Sequence, residues 1–494
     1  ALTVYVSGVV SIDKDFTFSA TTMLIERGFS GFDVRTGKTL TLNQQTTLKS
    51  GCGDLWRGIY VLSNGRLVTN NATVSEALFA TRPLRSSILS LTSSRFVKNF
   101  IGLYAIDGTF ANVNFRQNTY DGAGPLKGIG ILQTLIAGIE APNSSFVDDL
   151  QQVVYSTEQG FSGMFLRDIG SFNPNTSVLA IPDQNIFRNL SAGISTQNTS
   201  LRMRRVARFM NIVPGPYVSY VSAAVRCWDE TGGTYFVAGN MSSGISDFQN
   251  SAIGVIILAS ALRTGIHIAD NRMTGMETGV CVIALGAGTL LGVESSSRFK
   301  GICRNDITVD SHFGQGVALG AGILLHTDNP ASWGRIDVWE NKVIFNHNTS
   351  SGFTTGLIGS AGIWLGAVQA LLEGPTEVYA FKNRVEVRAG ASVIPNPIRV
   401  PGWTGVSGIA LRGTRIRVSD NAPAAFPGAG IYITGGPVSV GIFNGVRFGN
   451  YISCNEVSST LTTGSYGIVS FSAPNSTIVN NISTGSEVGV LFHS

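Results

Sequence analysis

The sequence predicts an all-β chain folded as a parallel β-helix, a solenoid of short stacked strands with loop insertions, and three observations predict it. The texture is uniform along 494 residues, with 59 glycines and only 13% charged residues, as one repetitive body requires and several unlike cores do not. Apolar residues alternate in short runs, as in Leu2, Val4 and Val6 or in Ile431 and Ile433, which is the period of a strand with one buried face. An Asn that leads into a Gly-aliphatic step also recurs: Asn305 to Gly322-Ile323, Asn341 to Gly362-Ile363, Asn383 to Gly408-Ile409, Asn455 to Gly467-Ile468 and Asn481 to Gly489-Val490.

Two of these steps fall at one equal interval, Gly408 to Gly430 and Gly467 to Gly489, and the others at longer ones, as a coil carrying a loop, or two coils, would give. Each coil supplies two or three strands joined by corners that need positive φ, which Gly takes freely and Asn tolerates. Asn residues aligned in successive coils can form amide ladders. A run such as Gly467 to Phe471 cannot bury its aliphatic row alone, and stacking about 4.8 Å apart buries it continuously. The whole of 1–494 therefore reads as one β-helix domain, with N-terminal coils over 1–110, a loop-rich middle over about 140–240 and regular coils over 240–494. Loops are expected near 140–160, 172–185, 212–220, 326–335, 349–360 and 391–406, and Phe146 to Tyr155 is the one stretch admitted as a short helix or excursion.

Composition excludes several classes. With 43% hydrophobic residues the chain can bury enough surface to order itself, and no apolar run approaches the roughly 18 residues of a membrane helix. A net charge of +4 without a polybasic tail does not indicate nucleic acid. Arg202, Arg204, Arg205 and Arg208 alternate with Met203 and Val206 as on a solvated strand face. Cys52, Cys227, Cys281, Cys303 and Cys454 match neither a disulfide framework nor zinc spacing. Cys281 and Cys303 are one interval apart and are expected as buried thiols or as a stacked disulfide. No metal and no cofactor is expected.

The opening is distinctive. Val4 through Ile12, Phe16 and Phe18, then Val34, Leu40, Leu42 and Leu48, precede Cys52-Gly53-Asp54-Leu55-Trp56-Arg57-Gly58-Ile59, after which come Val61 to Val68, Glu76-Ala77 and Phe96-Val97-Lys98-Asn99. This order resembles secreted right-handed parallel β-helix proteins of the Bacteroidetes, of pectin-lyase-like fold and exported by type IX secretion. The resemblance implies a right-handed helix outside the cell or attached to its surface, with any export signal already removed. It implies a C-terminal sorting domain too, whereas the chain stops inside a coil at Leu491 to Ser494, as a fragment of a longer chain would, or one whose open end pairs with another chain. The Trp56 run argues against a trimeric spike of viral type.

β-Helices of this kind are often polysaccharide enzymes, which need clustered carboxylates or a positioned base. The adjacent Asp148-Asp149 lacks the partners a hydrolase pair needs, and Arg415-Ile416-Arg417 reads as an outward charged pair. Asp310, His312, His326, Asp328 and His347 form the best acid-base constellation for a lyase, His326 and His347 being near one interval apart. Trp333 and Trp403, in Pro/Gly-rich loops, are the candidate ligand contacts, while Trp339 and Trp364 sit at strand positions and read as packing. The expectation is a structural or adhesive β-solenoid, part of a surface adhesin or fibre, assembling with copies of itself or a longer parent chain and contacting a cell-surface glycan or a host or prey surface. The alternative is a lyase or glycoside hydrolase acting on an acidic polysaccharide.

Overall fold

The computed structural model describes residues 2–129, 154–172, 185–204, 207–214, 221–239, 247–259, 264–284, 290–291, 301–310, 321–327, 335–347, 361–367, 377–389, 407–412, 415–419, 422–425, 429–434, 442–443, 446–447, 450–459, 466–471, 476–485 and 487–493. These residues are strands and turns throughout, and none is helical. They fall into two compact units, Ala1–Arg226 and Cys227–Ser494.

The first unit is a parallel β-helix with three sheets. One stacks Leu2–Val6, Thr21–Ile25, Thr47–Ser50, Thr73–Ser75, Arg95–Val97 and Thr119–Asp121. The second stacks Val9–Ile12, Gly28–Val34, Trp56–Val61, Ala77–Pro83, Ile101–Ile106 and the long Val154–Phe172. The third stacks Phe16–Ser19, Thr39–Asn43, Arg66–Asn70, Ile88–Thr92 and Ala111–Arg116. Inward rows fill the bore: Phe32, Trp56, Leu40, Leu42, Leu67 and Leu89 are at or below 1% exposure. Phe96, Tyr120, Phe187 and Phe209 stack coil on coil at 4.9, 4.8 and 5.1 Å between centroids. Burial pushes the Tyr120 phenol well above its usual range, so it stays neutral in this column.

The second unit repeats the plan. Thr264–Ala269, Ile302–Cys303, Arg335–Trp339, Glu377–Phe381, Arg415–Ser419, Asn450–Ser453 and Ser476–Val479 form one row. Another row holds Asp306–Val309, Lys342–His347, Arg384–Ala389, Ala422–Ala425, Glu456–Ser459 and Ile482–Thr484. The Gly-aliphatic strands make the third, from Phe248–Ala259 and Arg272–Ala284 through Ala321–Thr327, Ala361–Ala367, Ser407–Arg412, Ala429–Thr434 and Tyr466–Phe471 to Val488–His493.

The expected amide ladder is present and buried. The Nδ2 of Asn271 donates to Oδ1 of Asn305 at 2.9 Å, that of Asn305 to Asn341 at 3.0 Å and that of Asn341 to Asn383 at 3.0 Å. Each Oδ1 also accepts the backbone N–H of the preceding Asn, at 3.1 Å. Its rungs are 34, 36 and 42 residues apart, so the longer intervals are single coils with loops.

Gly and Asn hold left-handed corners as expected, among them Gly28, Gly37, Asn64, Asn71 and Asn211 with φ of 54 to 77°, and the Asn ladder departs from that pattern. In the ladder the residue before each Asn takes the left-handed conformation: Asp270, Arg304, Glu340, Lys382, Cys454 and Asn480 have φ of 51 to 58°. The glycines of the Gly-aliphatic steps serve packing instead. A Cβ on Gly322 would lie 2.3 Å from Cγ1 of Val343 and 2.7 Å from the carbonyl oxygen of Gly362. The stretch at Phe146 to Tyr155 ends as strand at Val154 and Tyr155, as do 154–160 of the expected first loop; the rest of that stretch, and most of the other expected loops, lie outside the described residues.

Candidate ligand-contact face

Trp56 is fully buried and its Nε1 donates to the carbonyl of Ser75 at 2.7 Å. Ile59, three residues on, is fully buried as well, which strict alternation forbids. Gly58 absorbs the difference at φ +108°, where a Cβ would sit 1.7 Å from the carbonyl oxygen of Phe79. Both neighbouring strands shift register opposite this point, and such irregularities re-aim side chains. Arg57 and Tyr60 consequently lie together, the half-buried guanidinium covering the buried ring at 3.7 Å from its centroid.

The register sets Asp33, Tyr60, Arg82 and Tyr104 in one column across four coils, and Phe165 follows Tyr104. Asp33 Oδ1 is 2.7 Å from Arg57 Nη1. Arg82 Nη1 donates to the Tyr60 hydroxyl at 3.1 Å. The Arg82 guanidinium lies 4.8, 5.8 and 5.6 Å from the rings of Tyr60, Phe79 and Tyr104, all within cation-π range. Phe79 and Tyr104 stack at 4.4 Å and 12°. Among the described residues no carboxylate pairs with Arg82, and its Nε and that of the buried Arg167 make no hydrogen bond; Arg167 Nε is 3.7 Å from Asp168. Burial raises the Tyr104 phenol above its usual value, and Arg167 and Arg82 hold it back only partly.

The rings of Tyr60, Phe79 and Tyr104 are buried, in one cluster with Phe100, Phe161 and Phe165, so what this face offers an anion is the half-buried guanidinium groups of Arg57 and Arg82 that rest on them. Guanidinium forks match planar acid groups in two directions. Burial keeps the Tyr104 phenol in its neutral form at ordinary pH.

The residues singled out by sequence lie in the second unit. Asp310 is exposed just past Asp306–Val309, its N–H donating to the Met276 carbonyl at 3.1 Å. His326 is the penultimate residue of Ala321–Thr327, opposite Ile283 and Gly366, whereas His347 ends Lys342–His347 opposite Ala389. The two histidines therefore occupy different rows of strands, and coil stacking does not make them neighbours. His312, Asp328, Trp333 and Trp403 lie outside the described residues, as do Asp148 and Asp149. Trp339 packs with Ala269 and Cys303 as expected of a core residue. Arg415 stands opposite Glu377.

Cys281 and Cys303 are buried free thiols, each pushed up to about 12 by burial. They also sit in different rows, opposite Ile256 and Leu324 and opposite Ala269 and Trp339. Among the described residues no group of three or more His, Cys, Asp or Glu is placed to hold a metal, and no helix is long and apolar enough to cross a membrane.

The arginine-tyrosine face escaped the sequence reading because its members come from separate coils of unequal length. The one signal of it in the sequence is Trp56-Arg57-Gly58, where the Gly re-aims the strand.

No family model matches the chain, and no curated protein matches it. Among solved structures it is similar to a mutant form of a periplasmic alginate epimerase, at 11% identity and a TM-score of 0.20, covering 99% of this chain and 84% of that one. That likeness is too distant to carry an argument about activity.

Proposed function

We propose that this chain is a secreted or surface-attached β-helix that works by adhesion, holding an acidic glycan against its arginine-tyrosine face. The observation that carries the reading is Arg82, set among Tyr60, Phe79 and Tyr104 with no carboxylate of its own among the described residues. A partly desolvated guanidinium in that position favours an incoming anion. The neutral Tyr104 phenol favours holding a ligand over abstracting its proton. Export outside the cell is supported by the resemblance of the residues around Trp56. Assembly of copies into a fibre would multiply the contact.

The test is affinity electrophoresis in gels containing polygalacturonate, alginate or a neutral glucan. Retardation by the acidic gels, lost in Arg82→Ala with an unchanged far-ultraviolet spectrum, is the expected result. Equal retardation by the neutral glucan, or an unaffected variant, would overturn it. Release of unsaturated or reducing ends from either acidic polymer would replace adhesion with the lyase or hydrolase reading.

A further inference from the structure

We infer that Asp33 is an intramolecular competitor that sets how strongly this face takes an acidic ligand. The inference rests on the reading above and goes beyond it by assigning a specificity-determining residue. Tyr60 is flanked by two guanidinium groups, Arg57 over its ring at 3.7 Å and Arg82 on its hydroxyl at 3.1 Å. Among the described residues only one of them is neutralised: Asp33, from the preceding coil, meets Arg57 at 2.7 Å.

An Asp33 carboxylate is chemically the same group as the acid of a uronate residue, so the two compete for one arginine fork. The pair is open to that competition, with 18% of the Asp33 side chain and 23% of the Arg57 side chain exposed. Arg57 does not depend on Asp33 alone for its place, because it also lies on Tyr60. A ligand acid thus meets Arg82 with no opposing carboxylate among the described residues, and Arg57 only by displacing Asp33. Loss of the Asp33 charge turns a site with one free arginine into a site with two.

A purely positioning role for Asp33 predicts the opposite sign, since removing the group that orients Arg57 would weaken binding. Asp33→Asn separates the two roles. It keeps the size of the side chain and an oxygen for Arg57 while removing the competing charge.

The experiment titrates oligogalacturonate into the whole chain and its variants by calorimetry, with a neutral oligoglucan alongside. Asp33→Asn is expected to tighten oligogalacturonate binding by about tenfold, the worth of one charge-assisted contact, and to steepen its salt dependence. The gain should vanish in Asp33→Asn combined with Arg57→Gln. If Asp33→Asn does not fold, Asp33→Ser carries the same prediction. Unchanged or weaker binding in the variant, with the wild type binding and Arg82→Ala not, overturns the role of Asp33 and leaves adhesion standing. Failure of wild type and variant alike to bind oligogalacturonate overturns both.

Discussion

Replacing Asn305 by Ala tests the logic of the second unit most severely, because Asn305 is 1% exposed and makes four side-chain hydrogen bonds. Its Oδ1 accepts the Asn271 N–H at 3.1 Å and the Asn271 Nδ2 at 2.9 Å, and its Nδ2 donates to Ile268 O and to Asn341 Oδ1, both at 3.0 Å. Not all of these losses are equal. Asn271 Nδ2 keeps bonds to the carbonyls of Val237 and Ala269, and Asn341 Oδ1 keeps the N–H of residue 305. The Asn271 N–H loses the acceptor that serves it. One stranded buried donor costs roughly 1–3 kcal/mol and each of the three remaining net bonds about 0.5–1.5 kcal/mol, so Asn305→Ala should cost roughly 2.5–7.5 kcal/mol. Lys382→Ala, at the equivalent exposed corner two coils on, should stay within about 0.5 kcal/mol. The assay is urea unfolding followed by hydrogen exchange of peptides covering Thr264–Ala269 and Arg272–Ala284, which reports the damaged coils directly. A midpoint for Asn305→Ala no lower than for Lys382→Ala, with exchange unchanged, would refute the claim that the ladder holds the turn.

Other outcomes follow from the same structure. Gly322→Ala drives a methyl into Val343 and the Gly362 carbonyl and should lower the thermal midpoint by more than a conservative core change, at about 3 kcal/mol; Val343→Ala in the same chain should recover part of the loss by removing one of the two obstacles. Arg304→Gln removes a two-pronged contact to Asp270, at 2.7 and 2.9 Å, and the guanidinium 5.1 Å from the Trp339 ring. The site is exposed, so the cost should be below about 1 kcal/mol and should shrink in 1 M salt, read by chemical denaturation at two ionic strengths. Cys52 and Cys454 should be alkylated rapidly in the folded protein and Cys281 and Cys303 only on unfolding, as counted by mass spectrometry. The same two thiols have a pH consequence. Their folded values, raised to about 12, give a contribution complete below the ordinary thiol pKa and lost as pH rises through the folded one, so stability should fall on the alkaline side only.

How far the sequence discloses this molecule depends on whether a feature repeats in one coil position. Asn271, Asn305, Asn341 and Asn383 are legible because burial and amide pairing demand the same residue at every pass. Their neighbours carry a second regularity. Asp270, Arg304, Glu340 and Lys382 alternate in sign on one side, and Arg272, Asp306 and Lys342 alternate on the other, with Asp306 3.7 Å from both Arg272 and Lys342. The arginine-tyrosine face is not legible in this way. Asp33, Tyr60, Arg82 and Tyr104 are unlike residues, and their alignment depends on coil lengths and on the irregularity at Gly58, neither of which periodicity records. His326 and His347 show the converse failure: a spacing near one coil in the short coils is only part of a coil where rungs are 36 and 42 residues apart.

Along the Asn ladder the glycines of the Gly-aliphatic steps and the corners exchange the roles that backbone preference alone would assign. Six corner positions of the second unit hold Asp, Arg, Glu, Lys, Cys and Asn in the left-handed region, each at a cost of about 1–2 kcal/mol. The four side-chain bonds of a ladder Asn such as Asn305, held beside that corner, offset the cost, so the chain is free to place charge there. Glycine is instead spent where two sheets close on each other. Gly279 faces Ile307 and the Gly322 carbonyl, and Gly322 faces Val343 and the Gly362 carbonyl, with a Cβ excluded at 2.3 to 2.7 Å in each case. A bulkier residue at either position would push the aliphatic row off the facing sheet, and the Asn rungs, whose bonds hold to 2.9 to 3.1 Å, would have to part with it. The recurring Asn and Gly-aliphatic steps are therefore one device: the glycine sets how near the sheets come, and the asparagine locks the turn at that distance.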